Sequence, residues 1–124
     1  MIDLLNAKGI LRNLLVVSHD RAEPTANEMN FIKDTLDTFS SLGLNRQDLV
    51  EDTLDKNYFI PEDINDRIKH LVVVFKMMDT FPGEEIPDEK LEALYEFSNA
   101  LGFSGEEFVN ISNHYEINKD NFDF

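Results

Sequence analysis

Five carboxylates crowd into eleven residues at Asp79, Glu84, Glu85, Asp88 and Glu89, with no basic residue among them. Carboxylates converging on a bend suit a hard cation: Ca²⁺ takes six to eight oxygen ligands and Mg²⁺ a tighter octahedron. An earlier stretch offers Asp20, Glu23 and Glu28, diluted by Arg21. Either ion could be the cofactor of such corners. An EF-hand is excluded directly. With Asp79 as the first loop position, Phe81 stands where a second carboxylate belongs, Glu84 replaces the turn glycine, and Lys90 takes the place of the bidentate Glu. Asp and Glu also favour first helical turns, where the helix dipole stabilises anions. Helix capping and solubility therefore account for the same residues as well as a loose, weak cation site does.

Other chemistry is sparse. The absence of cysteine removes disulfides, thiolate metal sites and thiol nucleophiles together. His19, His70 and His114 are too far apart to pair on one helix and read as boundary or surface residues. No nucleophile with a neighbouring base, phosphate-cradling glycine loop or zinc spacing is present, so no catalytic residues are expected and the chain reads as a non-enzyme. Phe81, Tyr58, Phe59, Phe122 and Phe124 fit no buried helical stripe; they read as packing under loops or as a partner site.

Twenty-five Asp and Glu against eleven Lys and Arg give a net charge of -14. Phosphate backbones and anionic membranes are recognised by neutralising their charge with Lys and Arg, so this balance argues against nucleic acid as a partner. A basic protein partner, a divalent cation and plain solubility all remain compatible with it, as does an acidic mimic of nucleic acid. The start of the chain has no basic stretch followed by a long apolar one, and the longest apolar run is Leu71 to Phe75. Neither a signal peptide nor a membrane span is expected, and the expected location is the cytoplasm.

The elements that would position the acidic corners are helical. Ile2, Leu5, Ile10, Leu14 and Val17 mark one face of a first helix, interrupted only by Gly9. Thr25 and Glu28 form a capping-box pattern that starts a second, whose inner face reads Ile32, Leu36 and Phe39. Gly43 ends it, and Asn45 caps a short third helix. The segment from about residue 62 to 79 is apolar nearly all round and predicts the central, most buried helix, its Val72-Val73-Val74 run notwithstanding. Leu91, Leu94, Tyr95, Ser98 and Leu101 mark a fifth helix ended by Gly102, and Ser104 with Glu107 caps a last one. Signals fade beyond Tyr115, so the expected division is a helical domain over 1–115 and a frayed tail over 116–124.

Laid over itself at an offset of 59 residues, the chain pairs Asp20 with Asp79 and Leu42-Gly43-Leu44 with Leu101-Gly102-Phe103, without a gap over about forty positions. That register predicts an all-α, single-domain helical bundle of two pseudo-symmetric units. Asp79, Gly83-Glu84-Glu85-Ile86, Asp88-Glu89, Leu91 and Leu101-Gly102-Phe103 occur in the order seen in the TerB-like helical family, named for a tellurite-resistance protein. The chain resembles that family over about residues 11–109, although Thr80-Phe81-Pro82 separates Asp79 from Gly83 and the first unit lacks the glycine. The resemblance implies a non-enzymatic module linked to stress response, with a weak divalent-cation site on the acidic corner residues. The alternative is a protein-interaction or scaffold domain whose acidic surface binds a basic partner. The sequence leaves the oligomeric state open.

Overall fold

In the computed structural model residues 2–51, 57–79 and 86–118 are described, and they form six helices with no strand among them. These are α1 (Leu4–His19), α2 (Ala26–Ser41), α3 (Arg46–Val50), α4 (Ile64–Met78), α5 (Asp88–Ala100) and α6 (Gly105–Asn118). The boundaries follow the caps written in the sequence. The Asp3 carboxylate accepts from Asn6 N–H at 2.8 Å and starts α1, Asn45 does the same for α3, and Asp63 for α4. Two reciprocal capping boxes open α2 and α6. Thr25 and Glu28 exchange side-chain to backbone bonds at 3.1 and 2.9 Å, and Ser104 and Glu107 at 3.1 and 3.0 Å. α6 runs on to Asn118, past the fading of the periodic signal at Tyr115.

Both glycine turns close in the same way. Gly43 and Gly102 have φ of 96° and 94°. The next residue reaches back five positions in each case, Leu44 N–H to Phe39 C=O at 3.3 Å and Phe103 N–H to Ser98 C=O at 3.1 Å, inside which the glycine bonds Ser40 or Asn99. Only glycine holds this left-handed conformation without strain. Gly43→Ala and Gly102→Ala should therefore each lower unfolding free energy by about 1 kcal/mol, read by urea denaturation. At Gly43 an added Cβ meets nothing within 4 Å, so a loss there isolates the backbone term. An unchanged midpoint in both variants would remove it.

Three helix boundaries recur at the spacing seen in the sequence. α1 ends at His19 and α4 at Met78, α2 at Ser41 and α5 at Ala100, and α3 starts at Arg46 and α6 at Gly105, each pair 59 residues apart. α1 and α4 pack on each other and on the helices that follow them, so the core is drawn from the whole length, from Ile2 to Tyr115. α4 is central as expected: every residue from His70 to Phe75 is buried, with Met77 and Met78. The Val72-Val73-Val74 run is helical because tertiary burial of three apolar side chains outweighs a few tenths of a kcal/mol of propensity per residue.

Two expected inner faces, those of α1 and α5, shift in part. In α1 the buried stripe is Ala7, Ile10, Leu11, Leu14, Val17 and Ser18, and Leu5 lies on the opposite side, 64% exposed. In α5 the buried set is Lys90, Ala93, Leu94, Phe97, Ser98 and Leu101, while Leu91 and Tyr95 stay 44% and 43% exposed. The helix is turned so that Phe97 enters the core and Lys90 goes in with it. His70, read from sequence as a surface or boundary residue, is 1% exposed inside α4. Tyr58 and Phe59 pack beneath the segment that leads into α4. Tyr58 sits on Phe97 at 5.1 Å between ring centroids, and the Phe59 ring lies where a Cβ on Gly9 would be, with its centroid 5.8 Å from His70. Gly9, an interruption in the sequence pattern, is the notch that admits this ring. Phe81, Phe122, Phe124 and Leu54 lie outside the described residues.

Candidate functional site: the acidic corners and the outer face of the fifth helix

The first corner, between α1 and α2, is organised around a buried cation supplied by the chain. Glu28, at the third position of α2, is fully buried, and its Oε1 closes the capping box on Thr25 N–H. The Lys90 ammonium reaches it from α5 at 3.1 Å, with the two side chains 0% and 3% exposed. The same ammonium donates to Ser18 C=O at 2.7 Å and Glu23 C=O at 3.3 Å. Three oxygens of the corner, one of them charged, thus surround an ammonium in the way they would surround a metal ion. Glu28 is committed to that ammonium. Asp20 ends α1 through its own N–H to Val17 C=O at 3.2 Å, and Glu23 turns its side chain outward.

At the second corner, Asp79 ends α4 and accepts the Tyr115 hydroxyl of α6 at 2.5 Å, with the Tyr115 ring stacked on Phe75. Asp88 and Glu89 occupy the first turn of α5 and point to solvent. Glu84 and Glu85 lie outside the described residues. Among the described residues no three His, Asp or Glu side chains come together as a metal-ion cluster would require. Asp79 is thus tied to α6 and Glu28 to α5, and these two carboxylates join helices.

Arg21 connects this corner to the outside of α5. It is the one non-glycine residue with positive φ among those described, at 65°. Its guanidinium spans two carboxylates one helical turn apart, Nη1 to Glu92 and Nη2 to Glu96. Beside it, Leu91 and Tyr95 form an exposed apolar pair, and together these five residues line an open groove of about 320 Å³. Tyr95 is held edge-on against Phe108 of α6 at 5.6 Å. The local field stays negative even with Arg21 in place. Nearby Tyr58 has its phenol pushed up to about 12, by burial first and then by the Asp20 and Glu96 carboxylates, with Arg21 partly offsetting them.

Sequence reading singled out neither Lys90 nor Arg21. Lys90 entered only as a residue that spoils an EF-hand, yet it lies on the same helical stripe as Leu94, Phe97 and Leu101, and that spacing was a legible sign of an inward lysine. Arg21 entered only as dilution of negative charge, and no local pattern could have paired it with residues more than seventy positions away.

No helix among the described residues is long and apolar enough to cross a membrane. Comparison of the chain with protein-family models, with curated proteins and with solved structures finds no match in any of the three.

Proposed function

We propose that this chain is a non-enzymatic, TerB-like helical domain that works as a protein-interaction module, its acidic outer surface docking a basic partner. The observation that carries the reading is where the bases go. Lys90, Arg67 and Arg12 donate to main-chain carbonyls of their own chain, and Arg21, Arg46 and Lys8 pair with its own carboxylates. These six basic residues are engaged within the chain, and its twenty-five acidic residues set the charge that a partner meets. A field of one sign steers an oppositely charged partner and speeds its association.

The pairing of helices supports the two-unit, pseudo-symmetric architecture. α1, α2 and α3 touch one another as α4, α5 and α6 do, and the contact of α1 with α5 is matched by that of α4 with α2. The stress-response role implied by the family resemblance, and a cation at the second corner, belong to the same proposal in weaker form. There Asp79, Asp88 and Glu89 with Glu84 and Glu85 are the ligands on offer, whereas Glu28 already faces an ammonium.

Two titrations of one sample at fixed ionic strength test the reading: capped hexalysine peptide, and CaCl₂ or MgCl₂, each followed by calorimetry. Saturable peptide binding that weakens steeply with NaCl, with either divalent ion binding more weakly than the peptide, is the expected result. A one-to-one Ca²⁺ isotherm with no peptide binding would replace the interaction module with a cation module.

A further inference from the structure

The groove on the outer face of α5 already shows what it holds. A guanidinium sits across Glu92 and Glu96, and it is the chain's own. Carboxylates at i and i+4 on one helix face are neighbours, so their oxygens can be met together by the two terminal nitrogens of a planar fork. A lysine ammonium, a single compact point of charge, cannot span them in the same way. Next to the carboxylates, Leu91 and Tyr95 expose an apolar step one turn long, and a Tyr face also attracts a guanidinium.

Arg21 occupies this place at a cost. Its backbone is left-handed, a conformation that disfavours a side chain with a Cβ by roughly 1–2 kcal/mol. Its two ion pairs are at the surface, where such pairs contribute little each. A weakly held internal arginine in a strained turn is one that an external arginine can displace.

Building on the interaction reading above, we propose that the α5 groove is the docking site for an arginine-bearing, partly apolar segment of a basic protein partner, and that Arg21 is its displaceable internal occupant. The partner's arginine replaces Arg21 between Glu92 and Glu96, and a neighbouring apolar side chain covers Leu91 and Tyr95. Charge complementarity selects the class of partner, and the fork geometry selects arginine over lysine.

The probes are a capped hexapeptide of alternating arginine and leucine and its lysine–leucine counterpart, titrated at fixed ionic strength and followed by amide chemical shifts. The arginine peptide should bind more tightly and perturb α5 from Asp88 to Ala100 together with Arg21. Glu92→Gln combined with Glu96→Gln should weaken it about tenfold, as expected for loss of charge-assisted bonds. Arg21→Gly, which removes the occupant and suits the positive φ, should tighten it about fivefold if the occupant's ion pairs oppose binding by about 1 kcal/mol. All these changes are on the exposed side of the fold, and helicity and melting temperature serve as the check that each variant is folded. Equal affinity for both peptides, shifts spread over the whole surface, and no response to Arg21→Gly would overturn the groove while leaving the interaction module standing. Failure of hexalysine and of both leucine peptides to bind would overturn both.

Discussion

Replacing Lys90 by methionine should cost about 3–5 kcal/mol of unfolding free energy, because it strips a paired ammonium from a carboxylate that is fully buried. The ammonium bridges α5 to both ends of the first corner, through Ser18 and Glu23 on one side and Glu28 on the other. The second oxygen of Glu28 has no hydrogen-bond partner among the described residues, so once Lys90 is gone the charge is left to the Thr25 N–H and the start of α2. For a domain whose whole stability is on the order of 5–15 kcal/mol, a loss of this size populates the unfolded state. Glu28→Gln keeps an acceptor for Thr25 N–H and removes the charge, so adding it to Lys90→Met should restore much of the loss. The measurement is a double-mutant cycle in urea, with a coupling of about 2 kcal/mol or more expected for a buried pair. A Lys90→Met variant that unfolds within about 1 kcal/mol of the parent would falsify the inward placement of this lysine.

The second large effect is on acid stability. Asn13 Oδ1 accepts from Phe59 N–H at 2.7 Å, which fixes the orientation of its amide, so its Nδ2 donates both to Phe59 C=O and to His70 Nδ1, each at 2.9 Å. His70 Nδ1 is therefore the acceptor, and the neutral ring carries its proton on Nε2, which is buried without a hydrogen-bond partner. Protonation would put a hydrogen on Nδ1 against the Asn13 amide and a charge in the core. Burial, with a smaller push from neighbouring Lys69, lowers the imidazole from 6.5 to about 4. The unfolded chain thus binds a proton that the folded one refuses. Stability from this group is fully present above pH 6.5 and is lost as pH falls through that value to about 4, a difference of about 3 kcal/mol at most. His70→Gln keeps an acceptor for Asn13 and cannot titrate, so its stability should fall less steeply than the parent's between pH 6.5 and 4.5. His19 and His114 remain in both proteins and cancel in the comparison. Parallel curves would mean that His70 is solvated and charged in the folded state.

Local signals in the sequence carried the helices, because caps and turns are decided by residues within one turn of each other. Thr25 with Glu28, Ser104 with Glu107, Asn45, and the two glycines each satisfy backbone groups that any helix end leaves open, whatever packs on top. The 59-residue register matched the ends of α1 and α4, the ends of α2 and α5, and the starts of α3 and α6. Tertiary structure decided which helix face turned inward and what each charge does. On α5 the sequence offered Leu91 and Tyr95 for the core, and the fold took Phe97 and Lys90, because a lysine can be buried once a carboxylate and two carbonyls receive it. Those partners lie between sixty and seventy-five residues away along the chain, as do Glu92 and Glu96 from Arg21. A periodic pattern ranks side chains by hydropathy alone, whereas burial of a charge depends on whether opposite charge arrives from another helix, and that meeting exists only once the helices have packed.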